Sequence, residues 1–208
     1  MGEFVDLPRW KRREHFELYR ATAQPFFSLT VEVDVTGAYD RSRDPAAPPF
    51  LVTTLHATMQ AARETPAFSL RVRGNGVWAH DTMRLSTTVL RADDTFDFAV
   101  FEPRATLEAF ATQATAEFAR AKRPGPLTLP DDDDIIYHST IPWLRFTAFT
   151  NAINTGADSI PRIVFGKRVV TGSRMVMPVA VEVHHAVVDG VDVARFIERF
   201  ENRLQTRD

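Results

Sequence analysis

The chain contains no cysteine. That absence excludes disulfide bonds, thiolate zinc sites, iron–sulfur clusters and a cysteine nucleophile. The chain also has no large excess of positive or negative charge, because 25 Lys and Arg against 27 Asp and Glu give a net charge of −2. Proteins that bind nucleic-acid phosphates or anionic membrane surfaces usually carry a strong positive charge. Small molecules or other protein chains are therefore the expected partners.

Long hydrophobic runs are absent as well. The N-terminal residues 1–16 lack the apolar segment of a secretory signal, and no stretch approaches the ~18 uninterrupted apolar residues of a membrane span. We therefore expect a cytoplasmic protein. At 208 residues and 44% hydrophobic content the chain can bury one sizeable core. Neither a repeat nor a linker divides it, which predicts a single domain over residues 1–208.

The remaining pattern mixes strands and helices. Alternating polarity predicts a strand over residues 27–35, and Gly74-Asn75-Gly76 predicts a hairpin between residues 70–73 and 77–79. Helical spacing predicts helices over residues 50–65, 104–122 and 191–204. Further strands are predicted over residues 85–100, with a break at 93–94, and over residues 141–149, 163–170 and 175–185. This order favours an α+β fold, a two-layer α/β sandwich with a mixed sheet, over a doubly wound parallel sheet.

Two other patterns are less informative. The chain has no G-x-G-x-x-G fingerprint and no Walker loop, which removes the main support for a nucleotide-binding fold. The acidic run at residues 131–134 is too short for an acidic tail, and we interpret it as a solvated loop without a function.

The candidate chemistry lies in residues 175–195, MVMPVAVEVHHAVVDGVDVAR, where a strand delivers two histidines to its end. His185 shares a strand face with apolar residues, which favours the neutral imidazole that a general base requires. His184 and His185 face opposite ways, so one metal does not easily bind both, and we expect no metal site. Equally, His185 could be a satisfied core histidine and Asp189 a helix N-cap. The residues alone support the catalytic and the structural interpretation equally.

The segment HHAVVDG resembles the HHxxxDG signature of the chloramphenicol acetyltransferase family. The resemblance continues in the same order along the chain. Residues 10–16 are similar to the family's W-x-R-[RK]-E-H-F, residues 139–143 to its S-x-x-P-W, residues 166–167 to its G-K, and residues 193–197 to its terminal helix. The resemblance implies a two-layer α/β sandwich that forms a homotrimer with active sites between subunits. It also implies acetyl-CoA as co-substrate.

The resemblance implies a role for four residues at the reacting centre. His185 would be the base that deprotonates an acceptor hydroxyl for direct attack on the thioester of acetyl-CoA. Ser139 would donate a hydrogen bond to the developing oxyanion, and Asp189 with Arg12 would form an ion pair that supports the histidine loop. Without the resemblance, Ser139 would be a strand-end serine bonded to backbone and Arg12 a surface charge.

The resemblance also implies binding residues. Trp143 and Lys167 would lie near the coenzyme, although periodicity alone favours a core position for Trp143. The acceptor pocket would be lined by Tyr19, Phe26, Phe27 and Leu29.

Several positions depart from the family's pattern. Pro49 and Arg168 stand where many members carry a lysine and an aromatic residue, which leaves the contacts of the coenzyme's adenosine open. Val164 stands where a threonine helps to bind a water at the reacting centre.

Chloramphenicol is the acceptor that the resemblance favours, and acetylation would remove a hydroxyl donor of the drug. The alternatives are the same chemistry on another alcohol, such as a secondary metabolite, or a non-catalytic scaffold of the same fold. An acyltransferase core of a 2-oxo acid dehydrogenase complex is less expected, because the chain shows no lipoyl domain or Ala/Pro-rich linker.

Overall fold

The computed structural model describes residues 1–153 and 158–206. The α-helices in these residues are α1 (Arg13–Arg20), α2 (Thr36–Arg41), α3 (Phe50–Arg63), α4 (Leu107–Ala121) and α5 (Gly190–Gln205). The strands are β1 (Gly2–Phe4), β2 (Phe26–Asp34), β3 (Leu70–Arg73), β4 (Gly76–His80), β5 (Arg84–Leu90), β6 (Phe96–Phe101), β7 (Ile135–Thr140), β8 (Arg162–Phe165), β9 (Val169–Thr171) and β10 (Arg174–His184). None of the described helices is long and apolar enough to cross a membrane.

The main sheet has the strand order β2-β10-β8-β7-β5-β6, and β9 also pairs with β10. Strand β7 runs parallel to β5 and β8, whereas the other neighbours are antiparallel. A small sheet of order β1-β4-β3 contains the predicted hairpin, whose turn places Gly74 at a φ of 57°, a conformation that glycine adopts at little cost. The mixed sheet and packed helices confirm the predicted α+β class.

The core lies between the main sheet and its helices. Val179, Val181 and Val183 alternate along β10 toward this side and are fully buried. On α5, Phe196 and Phe200 are four residues apart, so their rings share one helix face, with centroids 6.1 Å apart. Phe200 also stacks on Phe165 of β8 at 5.5 Å, which joins the helix to the sheet. Each such side chain stabilises the fold by about 1.5–3 kcal/mol through burial.

The sequence predicted two strands incorrectly. The predicted strand over residues 141–149 is wrong, because the strand lies just before it at Ile135–Thr140 and the chain leaves the sheet near Pro142, which lacks a backbone N–H to donate. The predicted strand over residues 163–170 is divided into β8 and β9. Between them the backbone turns away, and Lys167 N–H donates to the Leu144 carbonyl at 2.8 Å.

The acidic run is more than a solvated loop. Asp133 accepts from Arg73 Nη2 at 2.5 Å and lies 2.8 Å from His80 Nε2, so it binds both strands of the β3–β4 hairpin. Asp134 pairs with Arg84 at the start of β5. These carboxylates therefore connect the small sheet to the main sheet, through partners 50–60 residues away in sequence.

Candidate active site

The end of β10 holds the candidate base. Strand β10 lies between β2 and β8 and ends at His184. His185 N–H then donates to the Pro25 carbonyl at 2.8 Å, which fixes the chain where it leaves the sheet. Helix α5 follows, with Asp189 as its N-cap. The Asp189 carboxylate accepts from Gly190 N–H at 2.7 Å, and the Asp192 carboxylate accepts from Asp189 N–H at 3.0 Å, which completes a capping box.

The imidazole of His185 contacts two aromatic rings. Tyr19 stacks on it with centroids 3.9 Å apart and planes 15° apart, and Phe27 lies at 4.8 Å. Its Nδ1 is 3.3 Å from the carbonyl oxygen of Val188. A carbonyl oxygen only accepts, so Nδ1 carries the proton and the neutral ring has its lone pair on Nε2. No partner binds Nε2 within residues 1–153 and 158–206. This arrangement can accept a proton at Nε2.

Arg12 and Asp189 form an ion pair beneath this turn. Arg12 Nη1 lies 3.0 Å from Asp189 Oδ2, and Nη2 donates to the carbonyl of His185 at 3.3 Å. Burial raises the pKa of Asp189, but hydrogen bonds from Gly190 N–H and Arg12 outweigh it, so this pKa lies below its usual value. The carboxylate is thus ionised at neutral pH. Arg12 therefore connects the start of α1 to both ends of the histidine turn.

His184 faces the opposite side of β10 from the catalytic candidate. Only 5% of it is exposed, and burial lowers its pKa to about 4, so the ring is neutral at physiological pH. Its Nδ1 accepts from Ala186 N–H at 3.2 Å, and the ring contacts Phe26 edge-on with centroids 5.1 Å apart. His184 therefore belongs to the structural support of the turn.

The predicted acceptor-lining residues do not all lie together. Tyr19 and Phe27 contact the ring of His185, whereas Phe26 contacts His184 on the other face of the strand. Leu29 is 42% exposed and lines a groove along α5 with Ile197. Within this chain, Tyr19 and Phe27 are the two of the four that lie against the candidate base.

A second group of candidates lies at the C-terminal ends of β5 and β7. Ser139 Oγ is 2.9 Å from Thr88 Oγ1 on the neighbouring strand. Close by is a cavity of about 740 Å³, lined by Thr88, Thr140, Trp143 and Lys167 among others. Trp143 is 63% exposed on its wall, so the interpretation of Trp143 as a core residue is wrong.

Gly166 brings Lys167 to this cavity. A Cβ at Gly166 would lie 3.0 Å from the carbonyl oxygen of Leu144 and 3.0 Å from the ring of Phe146. Such contacts are too close for any side chain to fit without a shift, so glycine allows the β8–β9 connection to lie against residues 141–146. Trp143 and Lys167 thereby line the same cavity.

The strand register separates Ser139 from His185. Ser139 pairs with Val164, Val164 pairs with Ala180, and His185 lies five residues beyond Ala180 on β10. Two strand spacings contribute about 10 Å and five residues about 17 Å, which places the two Cα atoms about 20 Å apart. Within one chain, these side chains cannot act on the same carbonyl carbon.

The structure thus holds two half-sites. One contains Arg12, Tyr19, Phe27, His185 and Asp189. The other contains Thr88, Ser139, Trp143 and Lys167. In the part of the chain that the structure describes, no group of three or more histidine, aspartate or glutamate side chains is placed to hold a metal ion.

Comparison with known proteins decides the family. A family model for chloramphenicol acetyltransferase matches residues 3–201. The chain belongs to the chloramphenicol acetyltransferase family. Chloramphenicol acetyltransferase 3 of Escherichia coli is 30% identical to it over 208 residues, which cover 97% of this chain and 96% of that relative. Chloramphenicol acetyltransferase of Streptomyces acrimycini is 32% identical over 216 residues, which cover 97% and 92%.

A solved structure of a chloramphenicol acetyltransferase has the same fold. It superposes with a TM-score of 0.91 at 26% identity, covering 98% of this chain and 100% of the other. The predicted membership in the chloramphenicol acetyltransferase family and the predicted fold class are therefore both confirmed.

The family resemblance did not predict the hydroxyl neighbour of Ser139. Thr88 is 51 residues away in sequence, and only the pairing of β5 with β7 brings its hydroxyl to Ser139. Val164, beside Ser139 on β8, is 1% exposed and offers no hydrogen bond, so the hydroxyl neighbour of Ser139 in this chloramphenicol acetyltransferase family member is Thr88.

Proposed function

We propose that this protein is an acetyl-CoA-dependent O-acetyltransferase that acetylates chloramphenicol, with His185 as the general base. The observation that carries the proposal is the state of the His185 ring. Its Nδ1 is bonded to the Val188 carbonyl, Tyr19 stacks on it, Phe27 lies against it, and no partner within residues 1–153 and 158–206 binds Nε2. A base with a fixed tautomer and a free lone pair suits proton removal from a hydroxyl.

The proposed reaction is a direct transfer. His185 Nε2 takes the proton of the acceptor hydroxyl while the hydroxyl oxygen bonds to the thioester carbonyl carbon. The carbon–sulfur bond of the tetrahedral intermediate then breaks, and the imidazolium returns the proton to the sulfur of CoA. The products are an acetate ester and CoA thiol, with no acyl-enzyme.

We assign the oxyanion contact to Ser139. Its hydroxyl can donate to the oxyanion when it accepts from Thr88, whose oxygen lies 2.9 Å away. One oxyanion donor of this kind is worth about 3 kcal/mol in the transition state. Thr88 would act as a positioning residue, because it sets the direction of the Ser139 hydrogen without touching the substrate.

The separation of the half-sites supports a catalytic centre made by two copies of the chain. We propose a homotrimer in which the His185 half-site of one subunit faces the Ser139 half-site of its neighbour. Each copy of residues 1–208 would be a single domain. A ring of three copies closes such a head-to-tail contact and repeats the site at every interface.

We assign the cavity beside Trp143 and Lys167 to acetyl-CoA. Its walls are largely apolar, as an extended acyl and pantetheine chain requires, and Lys167 brings positive charge to it. Tyr19 and Phe27, which flank His185, would contact the acceptor. The protein would act in the cytoplasm, where acetyl-CoA is made and used.

The first test measures release of CoA thiol from acetyl-CoA with and without chloramphenicol. Because the protein has no cysteine, a thiol reagent reports CoA alone. The proposal predicts release that depends on chloramphenicol, with an acetylated drug identified by mass spectrometry. Release with a different alcohol and none with chloramphenicol would contradict the proposed acceptor. No release with any alcohol, from folded protein that binds acetyl-CoA, would support a non-catalytic scaffold.

A further inference from the structure

Three cations converge on the 740 Å³ cavity. Lys122 follows the last residue of α4, and Lys167 and Arg168 lie in the β8–β9 connection. All three are exposed, and within residues 1–153 and 158–206 none of them pairs with a carboxylate. Arginines on the main sheet, by contrast, pair with carboxylates, for example Arg91 with Asp97 and Arg162 with Asp158. Unpaired cations around one cavity are typical of a site for an anionic ligand.

Arg168 is held in place by aromatic rings rather than by a carboxylate. Its guanidinium carbon lies 4.8 Å from the ring centroid of Phe50 and 5.5 Å from that of Tyr39. A cation–π contact restrains the guanidinium without using its N–H groups. Those groups therefore remain free to bind phosphate oxygens, which a planar guanidinium can do with two parallel hydrogen bonds.

The rest of the cavity explains where these charges act. Phe50, Val89, Phe165 and Met177 give it apolar walls, and Pro49 adds no charge. A ligand that fits must therefore have an apolar or neutral segment and a strongly anionic segment. CoA has both, since a neutral pantetheine arm carries the thioester at one end and phosphates at the other.

We propose that Lys122 and Arg168, together with Lys167, bind the phosphates of the acyl donor and make the protein select CoA thioesters over thioesters of uncharged pantetheine. This proposal rests on the assignment of the cavity to acetyl-CoA. Lys122 belongs to none of the family motifs in this sequence, and Arg168 departs from the family's usual aromatic residue. This chain would therefore hold the phosphates with cations from the end of α4 and from the β8–β9 connection, because the start of α3, where Pro49 lies, provides no cation to the cavity.

The expected size of the effect follows from exposure. Charge pairs at a solvated rim are screened, so removing one cation should weaken CoA binding by about two- to fivefold. The affinity should also fall as ionic strength rises, because salt screens exposed charges. Binding of pantetheine, which has no phosphate, should respond to neither change.

The experiment is calorimetric titration of CoA and of pantetheine into the full chain. The variants are Lys122→Gln, Arg168→Gln and Arg168→Lys. Arg123→Gln is the matched control, since Arg123 is exposed next to Lys122 but does not line the cavity. We expect both charge-removing variants to lose about two- to fivefold in CoA affinity at unchanged pantetheine affinity. Arg168→Lys should keep most of the CoA affinity, and the control should match the wild type.

The outcomes separate this proposal from the proposed function. If the wild type binds CoA and releases thiol, while Lys122→Gln and Arg168→Gln bind CoA as tightly as the wild type, the phosphate assignment is wrong and the transferase stands. An equal loss for pantetheine and CoA, or an equal loss in the Arg123→Gln control, would also overturn the assignment. A wild type that neither binds CoA nor releases thiol would overturn both proposals.

Discussion

A catalytic centre shared by two chains predicts that two damaged chains can restore activity together. His185→Ala removes the base from one half-site, and Ser139→Ala removes the oxyanion donor from the other. Because these residues lie about 20 Å apart within one chain, the centre that each chain completes must lie against a neighbour. A mixed assembly can therefore join an intact His185 half-site to an intact Ser139 half-site.

The yield of restored sites can be calculated. In a head-to-tail trimer that contains both variants, about a third of the interfaces combine two intact half-sites. Over all trimers formed at random from equal amounts of the two variants, about a quarter of the interface sites should be active. The background is low, since loss of one oxyanion donor slows turnover by about 10²–10³-fold.

The assay uses the two variants, carrying different affinity tags, expressed together and purified on both tags. Chloramphenicol-dependent thiol release is then compared with each parent at equal protein concentration. Activity near a third of the wild-type value in the doubly purified protein would support the shared centre. Activity no higher than the mean of the two parents, in correctly assembled mixed trimers, would refute it.

Three further predictions concern single residues. Ser139→Ala should lower kcat by about 10²–10³-fold with little change in KM, because its bond forms in the transition state; a change in KM alone would reassign it to binding. Arg12→Ala should lower the free energy of unfolding by only about 1 kcal/mol, because Asp189 is partly solvated, yet lower kcat by misplacing His185; urea unfolding and initial rates measure both, and unchanged kcat would remove the supporting role. Burial lowers the pKa of His138 to about 3. Below the unfolded pKa of about 6.5, the unfolded state therefore binds a proton that the folded state does not, and the free energy of unfolding decreases by about 1.4 kcal/mol for each pH unit of acidification. His138→Leu should flatten this slope in urea unfolding between pH 6.5 and 4.5, and parallel slopes would contradict the buried neutral state.

Local patterns predicted the elements that carry the base. Alternation along residues 175–185 and the helical spacing of residues 191–204 are properties of neighbouring residues, and β10 and α5 lie close to those bounds. Asp189 is the N-cap that its position before the helix suggested. The contact of Arg12 with Asp189 depended on the family resemblance, since 177 residues separate the two in sequence.

Local sequence patterns could not predict contacts between strands that are distant in the chain. Thr88 contacts Ser139, and Lys122 and Arg168 line the same cavity, only because β5 lies beside β7 and β7 beside β8. Leu29 shows the same limit on a single strand. The alternation along β2 predicted correctly the face on which Leu29 lies, but it did not predict whether α5 covers this side chain. Part of Leu29 remains exposed beside Ile197.

The incorrect prediction of a strand over residues 141–149 has a physical cause. Residues 141–149 alternate apolar and polar side chains only in part, and Pro142 cannot take a place in the middle of a sheet. The preceding segment Ile135–Thr140 has the β-branched and aromatic residues that strands favour, but it directly follows the acidic run. The arginine partners of that run, which allow a strand to begin there, lie on other strands.

The measurement that tests the central claim most directly is the rate of CoA thiol release by wild type and His185→Ala, with acetyl-CoA and chloramphenicol both saturating. Assembly state, thermal unfolding and CoA binding of the variant are measured on the same samples. The account predicts that His185→Ala binds CoA and assembles as the wild type does, while its chloramphenicol-dependent release falls to the uncatalysed rate. Turnover by His185→Ala within about tenfold of the wild type would contradict His185 as the base, because a positioned general base contributes about 10²–10⁴-fold.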